Sequence, residues 1–352
     1  MVPGYRHLPG NHCGSTALRN LLAFHGLTVS EEMAFGLGAG ACFYYVALED
    51  ESPSRFFNGR VGHLEEQFLE LTGAPLRLRT FPDADSAWSA ARDAVDEASP
   101  PLLLTDLYYF DHYGRSAHFP GHAVVLAGYD DSHAYLSDTA FPELQRTSTE
   151  SLREARHGEH PVFPLAGHMV TLEPGAELAD VRAAAPAAIA RNARQMLAPE
   201  LGEFQGLPAL RRFAAEIGTW PDRVTDWRWC ARFGYQVIER RGTGGGNFRL
   251  MYSRFLSECA ALGLAPVAGQ ARLAADAAAA WIELAAGLHA ASDDDEAEPS
   301  QWDAIASGAA RVLELEERLW PELDLALEPS EVSEGAPLSQ RSRWSAGSRW
   351  RG

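Results

Sequence analysis

The chain contains no lysine: all thirty of its cationic residues are arginine, against 48 acidic ones. Together with its abundant alanine, that pattern is what codon bias in a GC-rich genome produces, and it carries no mechanism of its own. The charge imbalance does exclude partners. A formal charge of −18 repels the phosphates of nucleic acid and the surface of an anionic membrane, so neither is an expected ligand. Cysteine is scarce, and its four residues, Cys13, Cys42, Cys230 and Cys259, show neither a Cys-x-x-Cys spacing nor the neighbouring ligands of a zinc site. They read as free thiols in a reducing compartment, with no metal and no tightly bound cofactor. Apolar runs are short too. None approaches the ~18 residues of a membrane span, and the opening MVPGYRHLPG lacks the basic and apolar regions of a secretion signal. The expected location is cytoplasmic.

What is present suffices for two domains: 352 residues, 46% hydrophobic, with nine tryptophans. Up to residue 173 the pattern is mixed. A helix over 13–25 ends at Gly26, Ser30 opens a short second one, and a third near 61–72 stops at Gly73. They are followed by strand-like PLRLRTF, an alanine-rich helix near 84–98, and the apolar runs PLLLTDLYY, HAVVLAGY and AYLSD. Helices first and strands after predict an α+β domain over 1–173, with helices packed on a largely antiparallel sheet. The Pro- and Gly-containing LEPGAELADVRAAAP marks a boundary near 174–186. From 186 to 330 the helical spacing of Ala, Leu, Arg and Glu predicts an all-helical domain, in which DDDEAE is a solvated loop. The Ser/Gly/Arg-rich stretch 331–352 is expected to be a disordered tail.

Chemistry concentrates in two stretches. In LPGNHCGSTALRNLL, residues 8–22, Leu18, Leu21 and Leu22 share a helical face and Asn11 is the expected N-cap, so Cys13 falls in the first turn. A thiol there feels the positive end of the helix dipole, which favours the thiolate; the plainer alternative is a small buried hydrophobe. A thiol nucleophile needs a base, and the base needs an acceptor to orient it. GHAVVLAGYDDSHAYLSDT supplies both, with His122 opening one strand and Asp138 ending the next, so that a hairpin sets them side by side. His118 and His133 read as surface residues, Asp130 and Asp131 as turn acids, and Cys42, Cys230 and Cys259 as core. His12 reads as a cap or a surface residue, with oxyanion donation as the alternative. The backbone N–H of Cys13 is the more economical donor. Asp106, Tyr108 and Tyr109 lie on a strand leading toward His122, lining an acceptor pocket or packing in the core. RGTGGGNFR reads as a turn between helices with Asn247 as the cap, because it lacks the ending of a nucleotide-binding loop.

The order Cys, H-x-V-V-x-x-G, Asp resembles the papain-like cysteine-peptidase superfamily, particularly the bacterial group that trims leader peptides. HCGSTALRNLLAFHG, GLGAGACFYY, FFNGR, DLYYF and GHAVVLAGYD more closely resemble the N-terminal domain of the butirosin biosynthesis protein H family. IERRGTGGGNFRLMYSRFLSE resembles the helical domain of unknown function that follows it. The resemblance implies an acyltransferase in natural-product biosynthesis, taking an acyl thioester from an acyl carrier protein and passing it to a small-molecule amine. It assigns nucleophile, base and orienting acid to Cys13, His122 and Asp138. The carrier's phosphopantetheine arm would be part of the substrate, with His7, His12, Asp106, Tyr108 and Arg249 as expected contacts and the helical domain capping the cleft. Two departures stand out. His7 takes the place of the leader peptidases' oxyanion-stabilising Gln, and Asp111-His112 follow DLYYF where Pro-Tyr is expected. The same residues would serve a thioesterase, a peptidase or a cyclase, a non-catalytic carrier-binding scaffold would keep the fold, and a homodimer is compatible with either.

Overall fold

The first helix begins where the irregular segment through Pro9 and Gly10 gives way to the amphipathic run. In the computed structural model, which describes residues 1–327 apart from 49, 116, 159–163, 295 and 297, α1 (Cys13–Phe24) buries Ala17, Leu18, Leu21 and Leu22. Its N-cap is His12 rather than Asn11: the His12 Nδ1 accepts from the Ser15 N–H at 3.3 Å. The Asn11 side chain is drawn away to Glu31, to which its Nδ2 donates at 3.2 Å. α2 (Glu31–Leu37) is capped by Ser30. β1 (Ala41–Ala47) and β2 (Arg55–Arg60) then form an antiparallel hairpin of their own. Periodicity does not announce this hairpin, because ACF at the start of β1 is buried throughout instead of alternating.

α3 (Leu64–Thr72) stops at Gly73 in the left-handed conformation, β3 (Leu76–Arg79) follows, and Asp83 caps α4 (Ala84–Asp96). β4 (Leu102–Asp106) is shorter than its apolar run. Leu107–Tyr109 curl into a 3-10 turn, so Tyr108 and Tyr109 do not lie on a strand. The cause is the Asp106 carboxylate, which accepts from the Tyr108 and Phe119 N–H groups at 3.0 and 2.8 Å. Then come β5 (Pro120–Tyr129), β6 (His133–Ser137), β7 (Gln145–Ser148), α5 (Thr149–Ala155) and β8 (Met169–Leu172). The sheet runs β3-β8-β4-β5-β6-β7, every pair antiparallel. Successive residues point to opposite faces: Leu102, Leu104, Ala123 and Val125 meet α1, while Leu103, Val124 and Leu126 meet Ala91 of α4 and Leu152 of α5. Burial on both faces is why these strands read as unbroken apolar runs.

No strand follows β8 among the described residues. α6 (Ala185–Leu197), α7 (Gly206–Glu216), α8 (Trp220–Arg223) and α9 (Trp227–Tyr235) lead into a π-helical turn over Gln236–Arg240. α10 (Arg249–Ala261), α11 (Ala268–Asp293) and α12 (Pro299–Leu327) complete the helical half. Asp294, Glu296 and Glu298 are exposed between the last two, and the tail expected over 331–352 lies outside the described residues. No helix among them is long and apolar enough to cross a membrane. The two textures share one core, which runs from Leu18 and Phe35 through Phe43 and Phe57 of the hairpin to Phe213, Trp281 and Trp320.

One ion pair keys the helices to the hairpin. Arg249, fully buried, gives Nε and Nη2 to Glu316 at 2.7 and 3.1 Å, and Nη1 to the carbonyls of Cys42 and Gly59 at 2.8 and 2.9 Å. Glu316 also accepts from the indoles of Trp281 and Trp320 at 2.9 and 2.6 Å. The expected substrate contact at Arg249 is therefore a structural one, its donors being already committed. Asn247 does not cap α10: it is left-handed, at φ 53°, and Phe248 occupies the cap position without a side-chain bond. Removing one partner of a buried pair leaves the other charge uncompensated, so Arg249→Met should lower unfolding free energy by about 3–5 kcal/mol in denaturant titrations. The double variant with Glu316→Leu should regain part of that loss.

Candidate active site

Cys13 and Asp138 are far apart in sequence, and a set of polar braces across α1 and the end of β6 brings them together. The Gly10 N–H donates to the Thr139 carbonyl at 3.1 Å. A Cβ at Gly10 would fall 2.1 Å from the Thr16 Oγ1, so only glycine fits there. His7 gives Nε2–H to the Phe141 carbonyl at 2.9 Å, and its Nδ1 meets Ser137 Oγ at 2.7 Å. Both ring nitrogens are thus spent on bracing, which leaves none for an oxyanion or a substrate. From the other side the buried Glu31 carboxylate accepts from the Asn11 and His12 N–H groups at 2.9 and 2.7 Å.

At the junction Cys13 is half-buried, whereas the other three cysteines are buried. Asp138, fully buried, accepts from His122 Nε2 at 3.0 Å on Oδ1, which leaves His122 Nδ1 for the sulfur. Burial alone would raise the Cys13 thiol. The hydrogen bond and charge of His122, the charge of Arg60 and the Ala123 N–H outweigh it, and the thiol titrates below its ordinary value. Burial opposes a charged His122, but the Asp138 carboxylate and the Cys13 sulfur overcome it and raise its pKa. Asp138 in turn is held well below the usual carboxylate range: its burial is offset by His122 and His112. Both shifts move the pair toward thiolate and imidazolium. The other thiols behave oppositely, since burial pushes Cys42 up, Cys230 to about 11 and Cys259 to about 12.

His12 is buried between Phe35 and Phe248, at ring separations of 5.8 and 5.6 Å. Burial and the charges of Arg60 and His122 keep it neutral, and its capping bond puts the ring proton on Nε2, which has no partner. Asp106 serves the loop before His122 instead of a pocket, accepting His118 Nδ1 at 2.6 Å in addition to its two backbone donors. Tyr108 stacks on that imidazole at 3.9 Å. His118 remains half exposed and His133 meets Arg146 at the surface. The glycine-rich loop reaches the nucleophile's helix, because a Cβ at Gly242 would fall 2.6 Å from the Asn11 carbonyl. Three participants are not evident from motif reading: Glu31, Arg60 and His112, the last donating Nε2–H to Asp138 Oδ2 at 3.0 Å. Only for His112 is there a signal, the Asp-His that departs from the resembled pattern. No group of three or more His, Cys, Asp or Glu among the described residues could hold a metal ion.

A cysteine helix laid against the His-Asp edge of an antiparallel sheet is the arrangement of a papain-like domain. Residues 12–139 match the family described as Butirosin biosynthesis protein H, N-terminal, and residues 150–323 match Domain of unknown function (DUF4872). The chain belongs to the butirosin biosynthesis protein H-like family, a family of natural-product biosynthesis. No curated protein matches it.

Because Cys13 titrates low, its iodoacetamide alkylation should persist well below pH 8 and run about tenfold or more ahead of the other thiols at pH 6.5. Arg60→Ala should raise the pH midpoint of that reaction; a wild-type midpoint at an ordinary thiol value would contradict the activation.

Proposed function

We propose that the protein is a cysteine-dependent acyltransferase that carries an acyl group from a carrier-protein thioester through Cys13 to a small-molecule amine. The observation that carries this reading is the half-exposed Cys13 thiol at a helix mouth, backed by an imidazole whose far nitrogen rests on a buried carboxylate. The Cys13 thiolate attacks the thioester carbonyl, forming a new carbon–sulfur bond. The tetrahedral oxyanion is held by backbone N–H groups of the first turn, which have no partner within the helix. Glu31 and His12 occupy the amides of Asn11, His12 and Ser15, which points to the intervening Cys13–Gly14 stretch, with the Cys13 N–H as the proposed donor. Collapse breaks the donor's carbon–sulfur bond, and the carrier thiolate takes the proton of His122. An amine then attacks the acyl-enzyme, its proton passes to His122, and the Cys13 thiolate leaves with the amide formed.

Amine must outrun water at the second step, so a dry site serves transfer. Phe110, Tyr113 and Phe119 pack edge-on around the His122 ring at 5.8–6.5 Å, and the loop containing Gly242 comes from the helical half against the Asn11 carbonyl, just ahead of the Cys13 helix. In this reading the helical half serves as the cap. The transfer should follow a bell-shaped pH profile, since activity is lost below the Cys13 pKa as the thiolate is protonated and above the raised His122 pKa as the imidazolium is lost.

The direct test is intact-protein mass spectrometry after incubation with an acyl-pantetheine thioester. The acyl mass should appear on Cys13 and disappear faster with an added amine than with buffer, leaving amide. Cys13→Ala should reduce turnover by about 10³-fold or more. An adduct discharged only to free acid would make the protein a hydrolase, and no adduct on Cys13 would remove the reading altogether.

A further inference from the structure

We propose that His112 is a positioning residue of this centre: a neutral imidazole that donates Nε2–H to Asp138 Oδ2 and fixes the carboxylate plane so that Oδ1 faces His122. The inference rests on the reading of Cys13, His122 and Asp138 as the reacting unit, and extends it to a fourth member that the resembled pattern does not carry at this place.

The donor accounting fixes the state of the ring. His112 Nε2 lies 3.0 Å from Asp138 Oδ2, while Nδ1 is buried without a partner. A charged ring would bury a second N–H with nothing to receive it, at a cost of about 1–3 kcal/mol or more. The neutral tautomer protonated on Nε2 leaves only a lone pair unsatisfied. A neutral donor does not cancel the charge of Asp138; it orients it. The carboxylate would otherwise have His122 and the Tyr113 hydroxyl, at 3.0 and 3.3 Å, both on the same oxygen Oδ1, an arrangement that leaves it free to turn about its own axis.

The turn that presents His112 is anchored. The neighbouring Asp111 accepts from the Ser148 N–H at 2.8 Å, the Thr147 hydroxyl at 3.2 Å and the Ser151 hydroxyl at 3.0 Å, which ties Asp111–Tyr113 to β7 and α5. Gly114 ends the turn at φ 66°. The His112 ring stacks on Phe110 at 5.2 Å and meets the edge of Phe141 at 5.1 Å, so its rotamer is held on both sides. The titratable groups of the cluster are Asp138 after β6, His122 on β5, Cys13 on α1, and Asp111 and Tyr113 of the same turn.

The test uses the full chain and needs no substrate: the pH midpoint of Cys13 alkylation by iodoacetamide, with thermal unfolding measured alongside. Loss of the donor weakens support for the imidazolium and so for the thiolate, and His112→Phe should raise the midpoint by about one pH unit. His112→Gln, which keeps an N–H to offer Oδ2, should return most of the shift. If the phenylalanine variant is not recovered folded, His112→Met serves the same comparison. A low wild-type midpoint that stays put in a folded Phe or Met variant overturns the positioning role and reduces His112 to packing. A wild-type midpoint at an ordinary thiol value instead removes the reading of Cys13 itself.

Discussion

The fold turns on a guanidinium and a carboxylate sealed from water. Arg249 and Glu316 would each be costly to bury alone, and both are fully satisfied: the arginine by the carboxylate and by backbone carbonyls, the glutamate by the arginine and two indoles. Trp320 also lies beneath the guanidinium at 5.5 Å. The consequence is positional. Arg249 Nη1 reaches carbonyls on β1, on β2 and on Asn247, so one side chain fixes the hairpin, the glycine-rich loop and α12 relative to each other. That loop is the part of the helical half that touches Asn11 and His12. A pair remote from the sulfur therefore sets where that loop meets the residues just ahead of Cys13.

A second set of polar groups works on the opposite principle. Around Cys13 the buried groups are only partly satisfied: His12 Nε2, His112 Nδ1 and both polar atoms of the Asn247 side chain have no partner, although each is well packed. Unsatisfied buried polar atoms are uncommon in folded proteins and gather where structure yields to chemistry. Here His12 and Asn247 lie where the glycine-rich loop meets the N-terminal half, whereas His112 sits on the sheet side beside Asp138.

Legibility followed the range of the interaction. Cys13, His122 and Asp138 could be read because each sits at the end of an element whose periodicity is plain, and because hairpin geometry sets His122 and Asp138 side by side. Helices α1 to α4 were legible for the same local reason. The hairpin β1–β2 was hidden by burial without alternation, and the end of β4 by a side-chain acceptor, Asp106, that competes with the strand. Arg249 and Asn247 were misplaced because their partners lie on elements far away in sequence, where spacing carries no information. His7 illustrates the limit well: its position relative to the cysteine suggests an oxyanion role, yet two contacts with residues 137 and 141 consume both nitrogens.

Local charge at the site runs against the charge of the whole. A chain of net −18 surrounds one thiol with a helix N-terminus, an arginine and a protonated imidazole, all of which favour its anion. Of the carboxylates nearby, neither Glu31 nor Asp138 cancels the effect. Glu31 is spent on the amides of Asn11 and His12, ahead of the helix, so its charge stabilises the approach of the chain to α1. Asp138 is screened from the sulfur by the His122 ring that lies between them in the hydrogen-bonded chain, so its charge acts by raising the imidazole rather than by repelling the thiolate. The sign of the field at the sulfur is thus decided by which group each carboxylate is already bound to, and overall acidity, which governs what the protein meets in solution, has little say in it.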